Sequence, residues 1–380
     1  MSVKVSIIMP ALNEEKTVGV CIDKAHTICK NIGISYEIIV SDNCSTDNTV
    51  EIAKEKGAIV VNQPLKGYGA AYLKGFEEAK GEYIIIGDSD DSYDFLEIDK
   101  FINKLDQGYD MVIGNRFGGE IEKGAMPFAH RYIGNPILTR VLNFFFGANI
   151  SDAHCGMRGF RRDILPKLDL KTTGMEFASE MIIKAVQSDI KLTEIPINLS
   201  RDGRSRKPHL RPFRDAWRHM RFMLLYTPLH LFFIPGFFFF IIGLFLVITL
   251  VWGPIRIGEK IIGFHSLIFG SMMSILGYQL IVQGLTIRAY ALSQHLLSQK
   301  TFADKFVKNF TLEKGLVFGF IILLLGIVPE LLLIINWIQQ GFSGISALGQ
   351  AIFGLTFITL GVQTIFSSFF ISSFKIKSIY

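Results

Sequence analysis

From Leu231 to Trp252 the chain runs for 22 residues without one ionisable side chain. At about 1.5 Å per helical residue, such a run crosses a hydrocarbon core of roughly 30 Å. Three more apolar stretches follow, near Ile261–Thr286, Gly315–Trp337 and Ile345–Phe374, so four spans are expected in an all-α membrane domain over residues 228–380. Most of the charge lies before this region, in residues 1–226, which read as a mixed α/β globule. The N-terminus enters directly into a strand-like run, Val3–Met9, with no signal-peptide pattern, so the charged half is expected in the cytosol.

Loop charges agree with that orientation. Arg288, Lys300, Lys305, Lys308 and Lys314 fall between the second and third expected spans, and Lys375 and Lys377 follow the fourth. The opposite side receives Arg256, Lys260 and an uncharged Trp337–Gly344 turn. Arg201 to Arg221 holds eight Lys/Arg against two Asp just before the first span. That is a basic juxtamembrane stretch suited to anionic headgroups, at about 1 kcal/mol per residue. Membrane lipid, and not nucleic acid, is therefore its expected partner. Residues 211–227 read as an amphipathic juxtamembrane helix, with Trp217, Phe222 and Tyr226 at the interface. Cys21, Cys29, Cys44 and Cys155 show no metal-ligand spacing and read as reduced thiols.

Within the first 210 residues, apolar runs at Val3–Met9, Tyr36–Ser41, Ala58–Val61, Tyr83–Gly87 and Asp110–Gly114 alternate with amphipathic segments such as Glu14–Asn31, Asn48–Gly57 and Tyr68–Lys80. Nearly continuous Val/Ile runs mark strands covered on both faces, and the alternation predicts a mostly parallel, Rossmann-like sheet. Such sheets bind ligands beyond the carboxyl ends of their strands. Three of those ends are polar: Pro10–Glu15, Ser41–Asp47 and Gly87–Ser92. Asn13, Ser45 and Asp47 also have a local reading as helix caps.

Asp88-Ser89-Asp90 follows the run Ile84-Ile85-Ile86. A hard divalent cation such as Mg²⁺ binds through one or two carboxylates plus substrate phosphates, and Mn²⁺ suits the same oxygen donors. A calcium loop is excluded, because the run lacks the turn Gly and has Asp99 where a bidentate Glu belongs.

These residues carry a resemblance. The chain resembles family 2 glycosyltransferases of the polyprenyl-phosphate sugar synthase group, the relatives of dolichol-phosphate mannose and glucose synthases. The likeness runs from Val5 to about Tyr226. It passes through Ser6–Glu15, the Asp42 segment, Gly67-Tyr68-Gly69, Gly87–Phe95, Ile113–Phe117, Asp152–Phe160 and Phe213–His219. It implies a GT-A-type fold over residues 1–210 and transfer of a hexose from a nucleotide sugar to a polyprenyl phosphate. UDP-glucose is the favoured donor and GDP-mannose the second choice.

By this resemblance Asp42 reads the base, while Pro10, Asn13 and Glu14 line the nucleotide pocket. Asp88, Ser89 and Asp90 serve the diphosphate, with Asp88 and Asp90 on the metal. Arg116 and Arg131 face the acceptor phosphate, with Asn135 one turn after Arg131. Arg201, Ser205 and Lys207 close over the diphosphate. Two positions depart from the pattern: Asp91-Ser92-Tyr93-Asp94 stands where many relatives place a Gln, and Asn135 where they often place Ser. Glu180, on the helical pattern Glu176–Gln187, reads either as a structural partner of a nearby Arg or as a catalytic group. Cys155-Gly156-Met157 reads as a turn and packing element without chemistry.

A phosphate monoester already carries a nucleophilic oxygen near neutral pH, so no general base is required. With no obvious enzyme nucleophile, the expected course is one in-line displacement with inversion. A processive polysaccharide synthase is the first alternative, but its Gln-x-x-Arg-Trp element is missing. A nucleotidyltransferase would need a Gly-rich phosphate loop after the first strand. A lipid-linked-sugar transporter or scaffold is the non-enzymatic alternative, motivated by four spans and by Glu330 after Pro329 in the third. Gly349, Gly354 and Gly361 would permit close helix contact between subunits of a homo-oligomer.

Overall fold

The computed structural model describes residues 3–203, 212–227, 229–293, 302–342 and 347–374. The chain forms two compact units, Met1–Leu225 and Tyr226–Tyr380. In the first, β1 (Val5–Ala11), α1 (Val18–Asn31), β2 (Tyr36–Asp42), α2 (Thr49–Glu55), β3 (Ile59–Asn62), α3 (Tyr68–Glu78), β4 (Tyr83–Ile86), α4 (Ile98–Asp106) and β5 (Met111–Asn115) alternate regularly. Then follow α5 (Asn135–Phe146), β6 (Arg158–Arg161), a short α6 (Leu165–Leu168), α7 (Phe177–Gln187), β7 (Leu192–Pro196) and α8 (Pro212–Tyr226).

The sheet has seven strands in the order β3-β2-β1-β4-β6-β5-β7. β1 pairs in parallel with β2 from Val5↔Tyr36 to Ala11↔Asp42, and with β4 from Val5↔Tyr83 to Ile8↔Ile86. β6 is the antiparallel exception, wedged between β4 and β5. Helices cover both faces, so Val5, Ile7, Ile8 and Met9 are fully buried, and so is Ser6 between them. Helix α1 buries Val18, Cys21, Ile22, Ala25 and Cys29, which share one face at helical spacing. Helix α3 crosses β1 so closely that a Cβ on Gly75 would stand 2.4 Å from Ile8 Cγ2. Burial pushes the Cys29 thiol up to about 12 and the Cys21 thiol higher, so neither is a reactive thiolate.

The second unit contains α9 (Ile234–Leu250), the hairpin β8 (Ile255–Ile257) and β9 (Lys260–Ile262), and helices α10 (Phe264–Ser293), α11 (Phe302–Asn309), α12 (Leu312–Gln339) and α13 (Leu348–Ser373). Its four long apolar helices, His230–Leu250, Phe264–Ser293, Leu312–Gln339 and Leu348–Ser373, are each able to cross a bilayer. Small residues bring them together: a Cβ on Gly243 would lie 2.4 Å from the Ser274 backbone nitrogen. Hydroxyls link α10 to α13, Ser271 to Thr356 at 2.7 Å and Tyr278 to Thr364 at 2.5 Å.

Two expectations are corrected here. Arg288 is not a loop cation. It lies inside α10, 7% exposed, and its guanidinium grips Asp304 of α11 at 2.5 and 2.9 Å. Gly349, Gly354 and Gly361 pack within the chain, against Val251, Glu330 and Leu323, so these contacts are already taken by its own helices. Lys300, Lys375 and Lys377 lie outside the described residues.

Candidate active site

The strand order reverses at β1, whose neighbours β2 and β4 lead away in opposite directions. Beyond the carboxyl ends at such a switch point a crevice opens, because the following connections diverge to opposite faces. The three polar strand ends meet there. The loop after β1 is stitched to the loop after β2: Asn13 N donates to Ser45 Oγ at 2.9 Å, and Thr46 N donates to Asn13 Oδ1 at 2.6 Å. Glu14 N donates to Thr49 Oγ1 at 2.7 Å. Asn13 adopts φ 57°, a left-handed conformation that Asn tolerates better than most residues.

The capping reading of Asn13 and Ser45 is thereby corrected. The N-cap positions of α1 and α2 are Thr17 and Asn48, and neither makes a side-chain cap bond. Asp47 does receive the Thr49 N–H, at 3.1 Å. Asp42 ends β2, is 6% exposed, and accepts from Ser45 N at 3.2 and 3.3 Å.

Asp88 begins the next rim. Its Oδ1 accepts from the phenols of Tyr68 at 2.9 Å and Tyr72 at 3.4 Å. Ser89 turns inward and donates to the Pro10 carbonyl at 2.6 Å, which joins the ends of β1 and β4. Asp90, 7% exposed, accepts from Ser92 N and Oγ at 3.0 and 2.6 Å. Asp91 adopts φ 62° and pairs with Lys24 at 2.8 Å. Among the described residues no cluster of three or more His, Cys, Asp or Glu side chains could hold a metal unaided. Two carboxylates such as Asp88 and Asp90 could hold an ion only if phosphate and water oxygens supplied its remaining ligands.

Residues 200–203 lie along this rim, with Ser200 N donating to Ser92 O and Gly203 N to Asp90 O, both at 2.9 Å. Arg201 itself turns to the neighbouring loop, its backbone N–H on Glu122 Oε2 at 2.9 Å and its Nε on the Lys123 carbonyl at 2.5 Å. Ser205 and Lys207 lie outside the described residues.

On the β5 side, Arg116 is 8% exposed, and its Nε and Nη2 donate to the two oxygens of Asp152 at 2.7 and 2.8 Å. Arg131 lies in a π-helical turn, His130–Gly134, with its guanidinium 5.5 Å from the Tyr132 ring centre. Among the described residues it pairs with no carboxylate, unlike Arg116. Asn135, one turn on, donates to Met126 Sδ at 3.6 Å. The same segment exposes Phe128, Tyr132, Ile133, Ile137 and Phe144, an unusual apolar surface beside a cation.

Sequence reasoning missed Tyr68, Tyr72, Tyr93 and Asp152. The first stands within the Gly67-Tyr68-Gly69 run, but only the folded chain carries its hydroxyl to Asp88. Glu180 resolves as structural: fully buried, it accepts from Lys171 N and Thr172 N and pairs with Lys184, not with an arginine. Ser179 Oγ lies 2.8 Å from His219 Nδ1, yet it is 0% exposed, so no substrate reaches that pair. It fastens α8 to α7, as does Arg218–Glu176 at 3.0 Å, while Trp217 remains 60% exposed.

A mostly parallel α/β sheet with acidic strand ends, in a chain that also carries long apolar helices, is the architecture of a membrane protein with a ligand crevice at its switch point. Residues 6–169 match Glycosyl transferase family 2, and residues 285–375 match the Glycosyltransferase family 2 C-terminal transmembrane region. The chain is 40% identical over 370 residues, 97% of its own length and 88% of the relative's, to the low-salt glycan biosynthesis hexosyltransferase Agl6 of Haloferax volcanii. It is 31% identical to a dolichyl-phosphate hexose transferase of the same organism, over 50% of this chain and 81% of that one. The chain belongs to glycosyltransferase family 2. A crystal structure of a mycobacterial protein shares the fold at TM-score 0.50 and 18% identity, over 59% of this chain and 74% of that one.

Proposed function

We propose that this enzyme transfers a hexose from a nucleotide sugar to a polyprenyl phosphate at the cytosolic membrane face, with inversion at the anomeric carbon. The observation that carries this reading is the pairing of two surfaces in one unit. An acidic rim, Asp42, Asp88 and Asp90, suits a metal–nucleotide. Arg131, with no carboxylate partner among the described residues, stands on a segment with exposed Phe128, Ile133 and Ile137 and suits a lipid-borne phosphate. The names of the Haloferax relatives support the same assignment.

In this reading Asp42 receives the base, and Pro10, Asn13 and Glu14 form the adjoining wall. Asp88 and Asp90 would hold Mg²⁺ or Mn²⁺, which supplies Lewis-acid stabilisation of the departing diphosphate. Arg131 draws in the acceptor phosphate, and Arg116, whose charge Asp152 balances, would donate hydrogen bonds from the guanidinium edge that Asp152 leaves. The phosphate attacks as the anion, so no side chain has to remove a proton. The lipid tail follows the exposed Ile137 and Phe144 of α5 and Trp217 of α8. By the resemblance, Ser205 and Lys207 would complete the donor side, and Arg201 would join them only after leaving the Lys123 carbonyl. Residues 1–210, 211–227 and 228–380 then act as catalytic domain, interfacial helix and membrane domain. UDP-glucose is the favoured donor and GDP-mannose the second. Incubating purified protein with polyprenyl phosphate, Mn²⁺ and a panel of nucleotide sugars, followed by mass spectrometry of the lipids, tests this. The result expected is a lipid-linked hexose from one donor, and its absence with every donor would refute the reading.

A further inference from the structure

Asp88 is held from two sides. Tyr68 and Tyr72 lie four residues apart on α3 and so share a helix face, and both phenols donate to the same oxygen, Oδ1, at 2.9 and 3.4 Å. Packing aims them: the Tyr72 ring stacks on Phe177 with centres 5.5 Å apart, and Tyr68 meets Tyr72 edge-on at 5.0 Å. On the other side stands the Cys155-Gly156-Met157 turn, to which the sequence assigned no chemistry. Gly156 N–H donates to Tyr93 Oη at 2.8 Å, which pins the turn. A Cβ at Gly156 would stand 2.9 Å from Asp88 Oδ2 and 3.1 Å from Tyr68 Oη. A side chain at this wall would displace the Asp88 carboxylate or the Tyr68 hydroxyl from these positions, and glycine leaves both in place.

We propose that Tyr68 is a positioning residue that orients the Asp88 carboxylate toward a divalent cation and diphosphate, with Gly156 keeping the room that this orientation needs. A carboxylate ligand free to rotate must be ordered when the ion binds. One whose oxygen is already fixed by a partner hydroxyl is ordered in advance, and loss of such a partner weakens metal affinity. Tyr68 is the principal partner because its bond is the shorter, and Tyr72 supports it. This inference rests on the metal–nucleotide reading above.

The first readout needs neither lipid nor turnover. Mn²⁺ is titrated into the detergent-purified full chain in the presence of UDP or GDP, and free Mn²⁺ is followed by electron paramagnetic resonance. Tyr68→Phe keeps the ring and removes only the hydroxyl. It should weaken Mn²⁺ binding roughly tenfold or more, with turnover returning toward wild type at saturating Mn²⁺. Tyr72→Phe should show a smaller loss, and Gly156→Ala a loss as large as that of Tyr68→Phe. Wild-type Mn²⁺ affinity in Tyr68→Phe, or a turnover defect that saturating Mn²⁺ does not relieve, would overturn the positioning role. Failure of the metal reading itself looks different: the wild-type protein would then bind no Mn²⁺ with either nucleotide, before any variant is compared.

Discussion

Arg116 and Asp152 form a two-pronged ion pair beneath the β5 rim, with Nε–Oδ2 and Nη2–Oδ1 distances of 2.7 and 2.8 Å. Asp152 is fully buried and its own N–H is bound to Glu194 at 3.0 Å, so the pair is fixed from both ends. Removing one partner strands a buried charge, which costs about 3–5 kcal/mol. Asp152→Ala should therefore lower stability by that order in denaturant unfolding of the detergent-solubilised protein. A loss below about 1 kcal/mol would mean that Arg116 readily finds another anion or water.

The second prediction concerns acid. Burial, His219, Arg116 and Arg158 hold the His154 imidazole well below its usual 6.5, and its Nδ1 is buried with no partner among the described residues. A histidine depressed in the folded state contributes stability that is fully present above its unfolded value and is lost as pH falls below it. The melting temperature should thus fall between pH 7 and pH 5.5, with a slope of up to about 1.4 kcal/mol per pH unit from this group. His154→Gln should flatten that slope. An unchanged slope in the variant would assign the acid sensitivity elsewhere.

Topology is tested by labelling. In a Cys44→Ser background the remaining native cysteines are buried. Single cysteines at Lys308 of α11 and at Glu259, between β8 and β9, should react from opposite sides of a sealed membrane. Reaction from the same side would contradict the four-span arrangement.

Arg131 separates acceptor from donor. Its loss removes a charge-assisted contact of about 1.5–3 kcal/mol, or roughly ten- to a hundredfold in acceptor kcat/KM. Nucleoside diphosphate affinity, measured by calorimetry, should stay within about twofold, since a change of that size is below about 0.5 kcal/mol. A loss of nucleotide affinity with unchanged acceptor kinetics would reverse the placement of the two phosphates.

How much of this was legible in sequence depended on whether a residue's role is local. Strands β1, β2, β4 and β5 announced themselves through apolar runs, because burial on both faces favours apolar residues, whereas β3, at the sheet edge, reads as a short apolar run although Ile59 is exposed. β6 and β7 did not. β6 is Arg158–Arg161, and Arg158 is buried by donating to the carbonyls of Cys155, Ala178 and Ala153, an arrangement that no period reveals. β7 carries Thr193 and Glu194, and Glu194 is spent on the amides of Ser151 and Asp152. The acidic rim was visible because each strand end is a short contiguous string. Its supports were not, since Tyr68 lies 20 residues from Asp88 and Asp152 lies 36 from Arg116. Arg288 was misplaced for the same reason, its partner Asp304 being 16 residues away on another helix.

Transfer of sugar to a lipid phosphate is measured most directly by following radiolabelled hexose between phases. Protein in vesicles containing polyprenyl phosphate should move label from the nucleotide sugar into organic solvent, with one nucleoside diphosphate released per hexose. Asp90→Ala, folded as judged by its melting curve, should abolish this transfer, and EDTA should do the same to the wild type. Nucleoside diphosphate release with all label left in water or in polymer, or full transfer by Asp90→Ala, would contradict the account.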